Sequence, residues 1–142
     1  MDSFNPAAHG WQQNPEQGFT AYIGPIWEKP EGERVRYGML MRDIHSNLNG
    51  VVHGGVIATF ADFTLALECR RVTNGARQAT IQLDIHYLDA GRIGEFIESD
   101  CSVTRSARSV VFVTGQILAG SRLIATAQGV WKIQSGSNGQ RP

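Results

Sequence analysis

The chain has 142 residues and a formal net charge of zero, with 13 Lys and Arg against 13 Asp and Glu. That length suits one domain with a real hydrophobic core, and the even charge leaves no global footprint for nucleic acid or an anionic membrane as the main partner. The two cysteines, Cys69 and Cys101, lie far apart with no Cys-x-x-Cys or His-x-x-x-His pattern, which argues against a disulfide framework or zinc site and for free buried thiols in a reducing compartment.

The opening MDSFNPAAHG has no basic start ahead of an apolar run, so it does not read as a secretory signal. No stretch reaches the roughly 18 uninterrupted apolar residues of a membrane span, and the expected location is the cytoplasm. Residues 1–17 are polar, with Pro6 and Pro15, and suit an extension lying on a domain that covers 18–134. The tail from Ser135 to Pro142 is rich in Gly, Ser and Asn and reads as disordered.

Between these ends the pattern is mostly strand. GFTAYIGPIWEKP carries aromatic and β-branched residues and predicts a strand that stops at Pro30. ERVRYGMLM alternates, with Val35, Tyr37, Met39 and Met41 on one side. One helix is predicted, from about Gly54 to Arg70. It has no clean polar face, so it reads as buried, with its Glu68–Arg71 end reaching solvent. QATIQLDIHYL then alternates most clearly: Ala79, Ile81, Leu83, Ile85 and Tyr87 against Gln78, Thr80, Gln82, Asp84 and His86. Three further strands follow, at 93–104, 109–119 and 122–133, with Gly91 and Gly120 marking hairpin turns. Strands in an antiparallel sheet with one helix on a face make an α+β fold.

Asp62 is the odd residue in that helix. Asp is rarely buried without a partner. One explanation is a helix edge near water or an arginine. The other is a general base or nucleophile in an apolar cleft. The helix begins at Gly54-Gly55, where a ligand atom can approach the backbone closely. The first N–H groups there lack internal partners and the dipole favours negative charge, which suits an oxyanion hole; a simple tight turn is the plainer alternative. His53 and Asn47 are polar groups of the same loop. Asp62 follows Gly54 by eight residues (62 − 54), or about 12 Å along a helix. One carbonyl cannot meet both within one chain. Two copies with antiparallel helices would bring one Asp62 to the other's Gly54, making two equal sites in a two-fold dimer.

NLNGVVHGGVIATFAD resembles the loop-and-helix motif of hotdog-fold acyl-CoA thioesterases of the phenylacetate-degradation, PaaI-like type. The matching positions are Asn47, Gly50, His53-Gly54-Gly55 and Asp62, nine residues after His53 (62 − 53). GFTAYIGPIW, TIQLDIHYLDAG and RSARSVVFVTGQI…LIATAQGVW are similar to flanking strands of that family, so the likeness covers about 17–134. It implies a sheet of about six strands wrapped around one central helix. It also implies that Asp62 is nucleophile or general base, that the Gly54 N–H polarises the thioester carbonyl, and that His53 and Asn47 from the opposite subunit orient the reactants. Thr80 matches the hydroxyl residue that places the water. The family forms dimers that pair into tetramers and uses no metal or redox cofactor.

Arginines suit phosphates, so Arg105, Arg108 and Ser109 are candidates for the CoA end, with Gly55 at the helix start; Arg70 and Arg71 are further cations. Phe60, Phe63 and Trp131 are candidate acyl-pocket residues, although each also suits a core. Two other functions fit the fold: a hydratase or dehydratase of acyl thioesters, and a non-catalytic acyl-CoA-binding domain. The passage from His-Gly-Gly straight into the helix, with Asp nine residues on, favours hydrolysis. Residues 1–17 are too few for the DNA-binding module of a regulator.

Overall fold

The computed structural model describes residues 3–135; the tail expected to be disordered lies, from residue 136 on, outside the described residues. The elements run β1 (Gln12–Gln13), α1 (Gly18–Ile23), β2 (Ile26–Glu31), β3 (Arg34–Leu40), α2 (Gly54–Val72), β4 (Gln78–Tyr87), β5 (Phe96–Ser106), β6 (Val110–Ala119) and β7 (Arg122–Ile133), with short 3-10 turns at Pro6–His9 and Asp43–His45. The strands form one antiparallel sheet in the order β1-β2-β3-β5-β6-β7-β4. β4 follows α2 in the chain yet pairs with β7, so it forms the far edge of the sheet. Register irregularities at Thr80/Gln82, Val103/Arg105 and Ile117/Leu118 add local twist and help the sheet curl. This is the expected α+β sheet around a helix, with seven strands where about six were expected, since β1 adds a two-residue edge piece.

α2 lies in the curl. It buries Ile57, Phe60, Ala61, Thr64, Leu65, Glu68 and Cys69 against Met39, Ile97, Val111, Val113, Ile117, Ala127 and Trp131 of the sheet. Glycine opens the sheet for the helix at Gly115, where a Cβ would lie 2.8 Å from Leu65 Cδ1. Thr64, the only hydroxyl on this face, donates to Ser99 Oγ at 2.9 Å, so the inward polar group is satisfied.

Five expectations need correction. The segment expected as one strand from Gly18 divides: Gly18–Ile23 is helical, Gly24-Pro25 breaks it, and β2 runs on through Pro30. Its aromatic content suggested strand, but it lacks strict alternation. α2 is not enclosed on all sides: Ala58, Thr59, Asp62, Phe63 and Ala66 are only half-buried, because one sheet covers one flank. The end of α2 reaches solvent at Arg70 and Arg71 as expected, but Glu68 does not; it is buried and its carboxylate takes a two-pronged contact from Arg71 at 2.9 and 2.6 Å. Gly91 is not a hairpin turn. It sits in the loop between β4 and β5, packed against Val52 and Ile97.

The most consequential correction concerns β4. Thr80 pairs with Trp131 and Gln82 with Val130, so Ile81 is the extra residue of a bulge. Each bulge exchanges the faces of all that follows. Gln78 and Thr80 therefore share the helix-facing side with Leu83, Ile85 and Tyr87, and Ile81 is 56% exposed.

Candidate active site

The first half of the site is the start of α2. His53 is its N-cap, in extended backbone conformation, and its Nδ1 accepts the Gly55 N–H at 2.8 Å. The N–H groups of Val56 and Ile57 donate to the His53 carbonyl at 2.9 and 3.3 Å. Of the helix's first N–H groups, that of Gly54 has no partner among the described residues. An accepting Nδ1 places the proton of the neutral ring on Nε2, so exposed His53 keeps an N–H donor to offer, one residue before the Gly54 N–H. The two glycines differ in purpose. A Cβ on Gly55 would lie 3.0 Å from His53 Nδ1, so this glycine lets the ring cap the helix. A Cβ on Gly54 would meet only the Tyr87 ring at an ordinary 3.5 Å, and nothing in its own chain requires glycine there.

The preceding loop is held by its own backbone. Asn47 Oδ1 accepts from the N–H groups of Asn49 and Val51 at 2.8 and 3.3 Å, an Asx-type turn, and Gly50 takes a left-handed φ of +76°. Val52 donates its N–H to Gly91 O at 2.9 Å and His53 donates its own to His45 O at 2.8 Å. The carboxamide oxygen of Asn47 is thus committed to the loop, and its NH₂ is the group left to offer.

The second half is Asp62 with Thr80. Asp62 is half-buried, and its Oδ1 accepts the Thr80 hydroxyl at 2.9 Å. The bulge is what turns Thr80 inward to make this bond. One turn further along α2, Gln78 Nε2 donates to Ala66 O at 2.6 Å. Within one chain the two halves stay apart, by about 12 Å of helix rise and about 80° of rotation. Thr80 instead lies on β4, with Asp62 against it; the outer edge of that strand is unpaired among the described residues, and along it Ile81 and Leu88 stand 56% and 55% exposed.

The CoA candidates lie elsewhere. Arg105 lies near the end of β5, and Arg108 and Ser109 in the β5–β6 connection, at the sheet end where β4 begins and α2 finishes, away from His53 of the same chain. Arg105 pairs in register with exposed Phe112 and lines a groove on the convex sheet face with Gln82 and Thr104. Ser109 uses its carbonyl to accept the Ile133 N–H at 2.8 Å. Phe63, beside Asp62, packs half-buried on the core, while Phe60 and Trp131 belong to it. Among the described residues no group of three or more His, Cys, Asp or Glu is arranged to hold a metal ion.

Two contributors escaped the sequence. Tyr87 donates its hydroxyl to Gly54 O at 2.9 Å, bracing the helix start from β4; a tyrosine ending an apolar face, in need of a hydroxyl partner, was the available signal. His45 is buried at 1% exposure. Burial pushes its ring below the ordinary histidine value, and the nearby Arg42 charge pushes the same way against a hydrogen bond to Ile23 O. Nothing local marks it as different from a surface histidine.

Comparison with known proteins bears on this arrangement. Residues 49–125 match the thioesterase superfamily. Acyl-coenzyme A thioesterase 13 of Mus musculus is 28% identical over 100 residues, covering 63% of this chain and 70% of that protein. The BH2602 protein of Bacillus halodurans, solved with CoA, superposes with a TM-score of 0.75 at 20% identity, covering 87% of this chain and 83% of that one. The PaaI protein of E. coli, from the phenylacetic acid degradation operon, gives 0.74 at 17% identity, over 83% and 85% of the two chains. With more than half of its length matched and a seven-stranded sheet curled on one main helix, the chain belongs to the thioesterase superfamily and is a hotdog-fold thioester hydrolase.

Proposed function

We propose that the protein hydrolyses acyl-CoA thioesters to free acid and CoA, in sites shared between two copies of the chain. The observation that carries this is the separation of two complementary half-sites. An Asp62–Thr80 pair stands at the free β4 edge, and an unpartnered Gly54 N–H stands two helical turns away. A long unpaired edge strand with apolar side chains invites pairing. Pairing β4 with a two-fold copy sets the α2 helices side by side and gives two equal sites.

In each site the partner's Gly54 N–H and His53 Nε2–H would receive the thioester oxygen as it gains charge; one such donor is worth about 10²–10³-fold in rate. Asn47 of the same copy would offer its NH₂ to the reactants. The Thr80 hydroxyl occupies Asp62 Oδ1, so Oδ2 is the oxygen free to act. As a base it takes a proton from water, whose oxygen adds to the carbonyl carbon; collapse expels the CoA thiolate, which the same proton neutralises. As a nucleophile it adds directly, expels the thiolate and leaves a mixed anhydride that water opens. Both routes balance without a metal or redox cofactor. Phe63 would border the acyl group, Gly55 the approach to the helix start, and Arg105, Arg108 and Ser109 the phosphates of CoA. The likeness to an acyl-CoA thioesterase and to a CoA-bound protein supports the substrate class. A domain spanning 18–134 with an N-terminal extension, a cytoplasmic location and pairing of dimers into tetramers complete the proposal.

The test is a panel of acyl-CoAs with a thiol-reactive dye, comparing wild type with Asp62→Ala. Thiol release that depends on Asp62 supports the proposal. No release from any acyl-CoA, with hydration of an enoyl-CoA instead, refutes it.

A further inference from the structure

We propose that His45 is a positioning residue that sets the His53–Gly54 donor pair by locking it to the N-terminal segment of the chain; the inference rests on the shared-site thioesterase reading. His45 closes the 3-10 turn Asp43–His45 and is buried. Its Nδ1 accepts the Arg42 N–H at 2.9 Å. That leaves Nε2 as the donor, and it lies 2.7 Å from Ile23 O at the end of α1. Its own carbonyl accepts the His53 N–H at 2.8 Å. One residue therefore bonds to three segments: α1, its own turn and the cap of the catalytic helix.

The contact with His53 is the one that matters for chemistry. His53 must hold its backbone still for its Nδ1 to cap Gly55, and only that capped geometry presents Nε2–H and the Gly54 N–H together. The loop between them is held internally by its Asn47 turn, but those bonds end at Val51, and the tie of the His53 backbone itself runs to His45. Residues 47–51 form a turn closed at its base by a bridge between Ser46 and Val52. An apolar residue at 45 would fill the space but leave the Arg42 N–H without its acceptor and take from Ile23 O its shorter hydrogen bond in the interior, where such groups are normally satisfied. The Arg42 guanidinium adds a second tie from the surface side, donating to Ile23 O at 3.2 Å and to Gly24 O. Buried His45 and exposed Arg42 grip the same end of α1.

The experiment compares His45→Gln, which keeps a donor directed at Ile23 O, and the surface variant Arg42→Ala with wild type. Readouts are kcat and KM on the acyl-CoA that wild type turns over best, and the imidazole ¹⁵N resonances of His53. Misplacing an oriented group by about 1 Å can cost up to about 10²-fold in rate. The expected result is a kcat lowered about tenfold in His45→Gln and less in Arg42→Ala, with KM within about twofold and the His53 Nδ1 signal moved off its hydrogen-bonded position. A folded His45→Gln with wild-type kcat and an unmoved His53 signal overturns the proposal, as does a loss confined to KM. If His45→Gln does not fold, Arg42→Ala decides: unchanged kcat and His53 resonances overturn it. If wild type hydrolyses no thioester, the functional reading fails, and the His53 resonances alone still test the positioning.

Discussion

Mixing two inactive chains tests the shared site most directly. Asp62→Ala removes the acting carboxylate, and His53→Ala removes a donor together with the cap on Gly55. A thioester carbonyl must sit within about 3–3.5 Å of the groups that act on it. The half-sites of one chain are about 12 Å apart along α2, so each must be completed by the partner. Unfolding the two variants together in equal amounts and refolding them gives about half heterodimers by random two-fold pairing. Each heterodimer has one site carrying both substitutions and one carrying neither. About one quarter of all sites are then intact, and the mixture should reach about 25% of wild-type turnover per site. Each variant alone should lie about 10²-fold or more below wild type, well under that mark. Native mass spectrometry measures the heterodimer fraction. If heterodimers form in that proportion and the mixture stays at the level of the single variants, the site is built within one chain and the spacing argument fails.

Thr80→Val keeps the shape but removes the hydroxyl on Asp62 Oδ1. A hydrogen bond to a charged group contributes about 1.5–3 kcal/mol; at a half-buried carboxylate the low end applies, or about tenfold in kcat. Thr80→Ser should retain most activity, and an unchanged kcat in Thr80→Val would refute the role of the pair. The two thiols should be silent in the native protein. Both are buried, and burial pushes Cys101 up to about 12, so a thiol dye should label neither until denaturant exposes both; rapid labelling of the native state contradicts the core packing.

Acid should destabilise the fold in two stages. Burial holds His45 below its unfolded value, so its contribution is full above about pH 6.5 and is lost as pH falls toward the folded value. The Arg122 hydrogen bonds hold Glu95 below the ordinary carboxylate range, so that contribution is lost lower still, as pH drops through the folded value. Thermal melts from pH 8 to 3 should show both, and His45→Gln should remove the first stage only.

The opening face of β3 shows what local pattern can do: Tyr37, Met39 and Met41 all point inward as their alternation required. α2 begins at Gly54 because two glycines follow a capping histidine, and β7 covers 122–133 because turn residues bound an alternating run. The separation of Asp62 from Gly54 is also legible, since helix rise converts residue number into distance. These features depend on residues close in sequence.

The remaining features depend on residues far apart. A single bulge against β7 puts Thr80 on the helix side, and no periodicity in β4 alone announces where register slips. Glu68 is buried because its place on α2 falls under the folded sheet, although its Arg71 partner is only one turn away. Gly18–Ile23 is a short helix whose end is gripped by His45 and Arg42 from 18 to 22 residues away. The sequence by itself determined which groups could do the chemistry and that one chain would keep them apart. Tertiary structure decided which way Thr80 turns, which histidine holds the cap and which strand edge is left open, because each of these is set by pairing and burial between segments that meet only once the chain has folded.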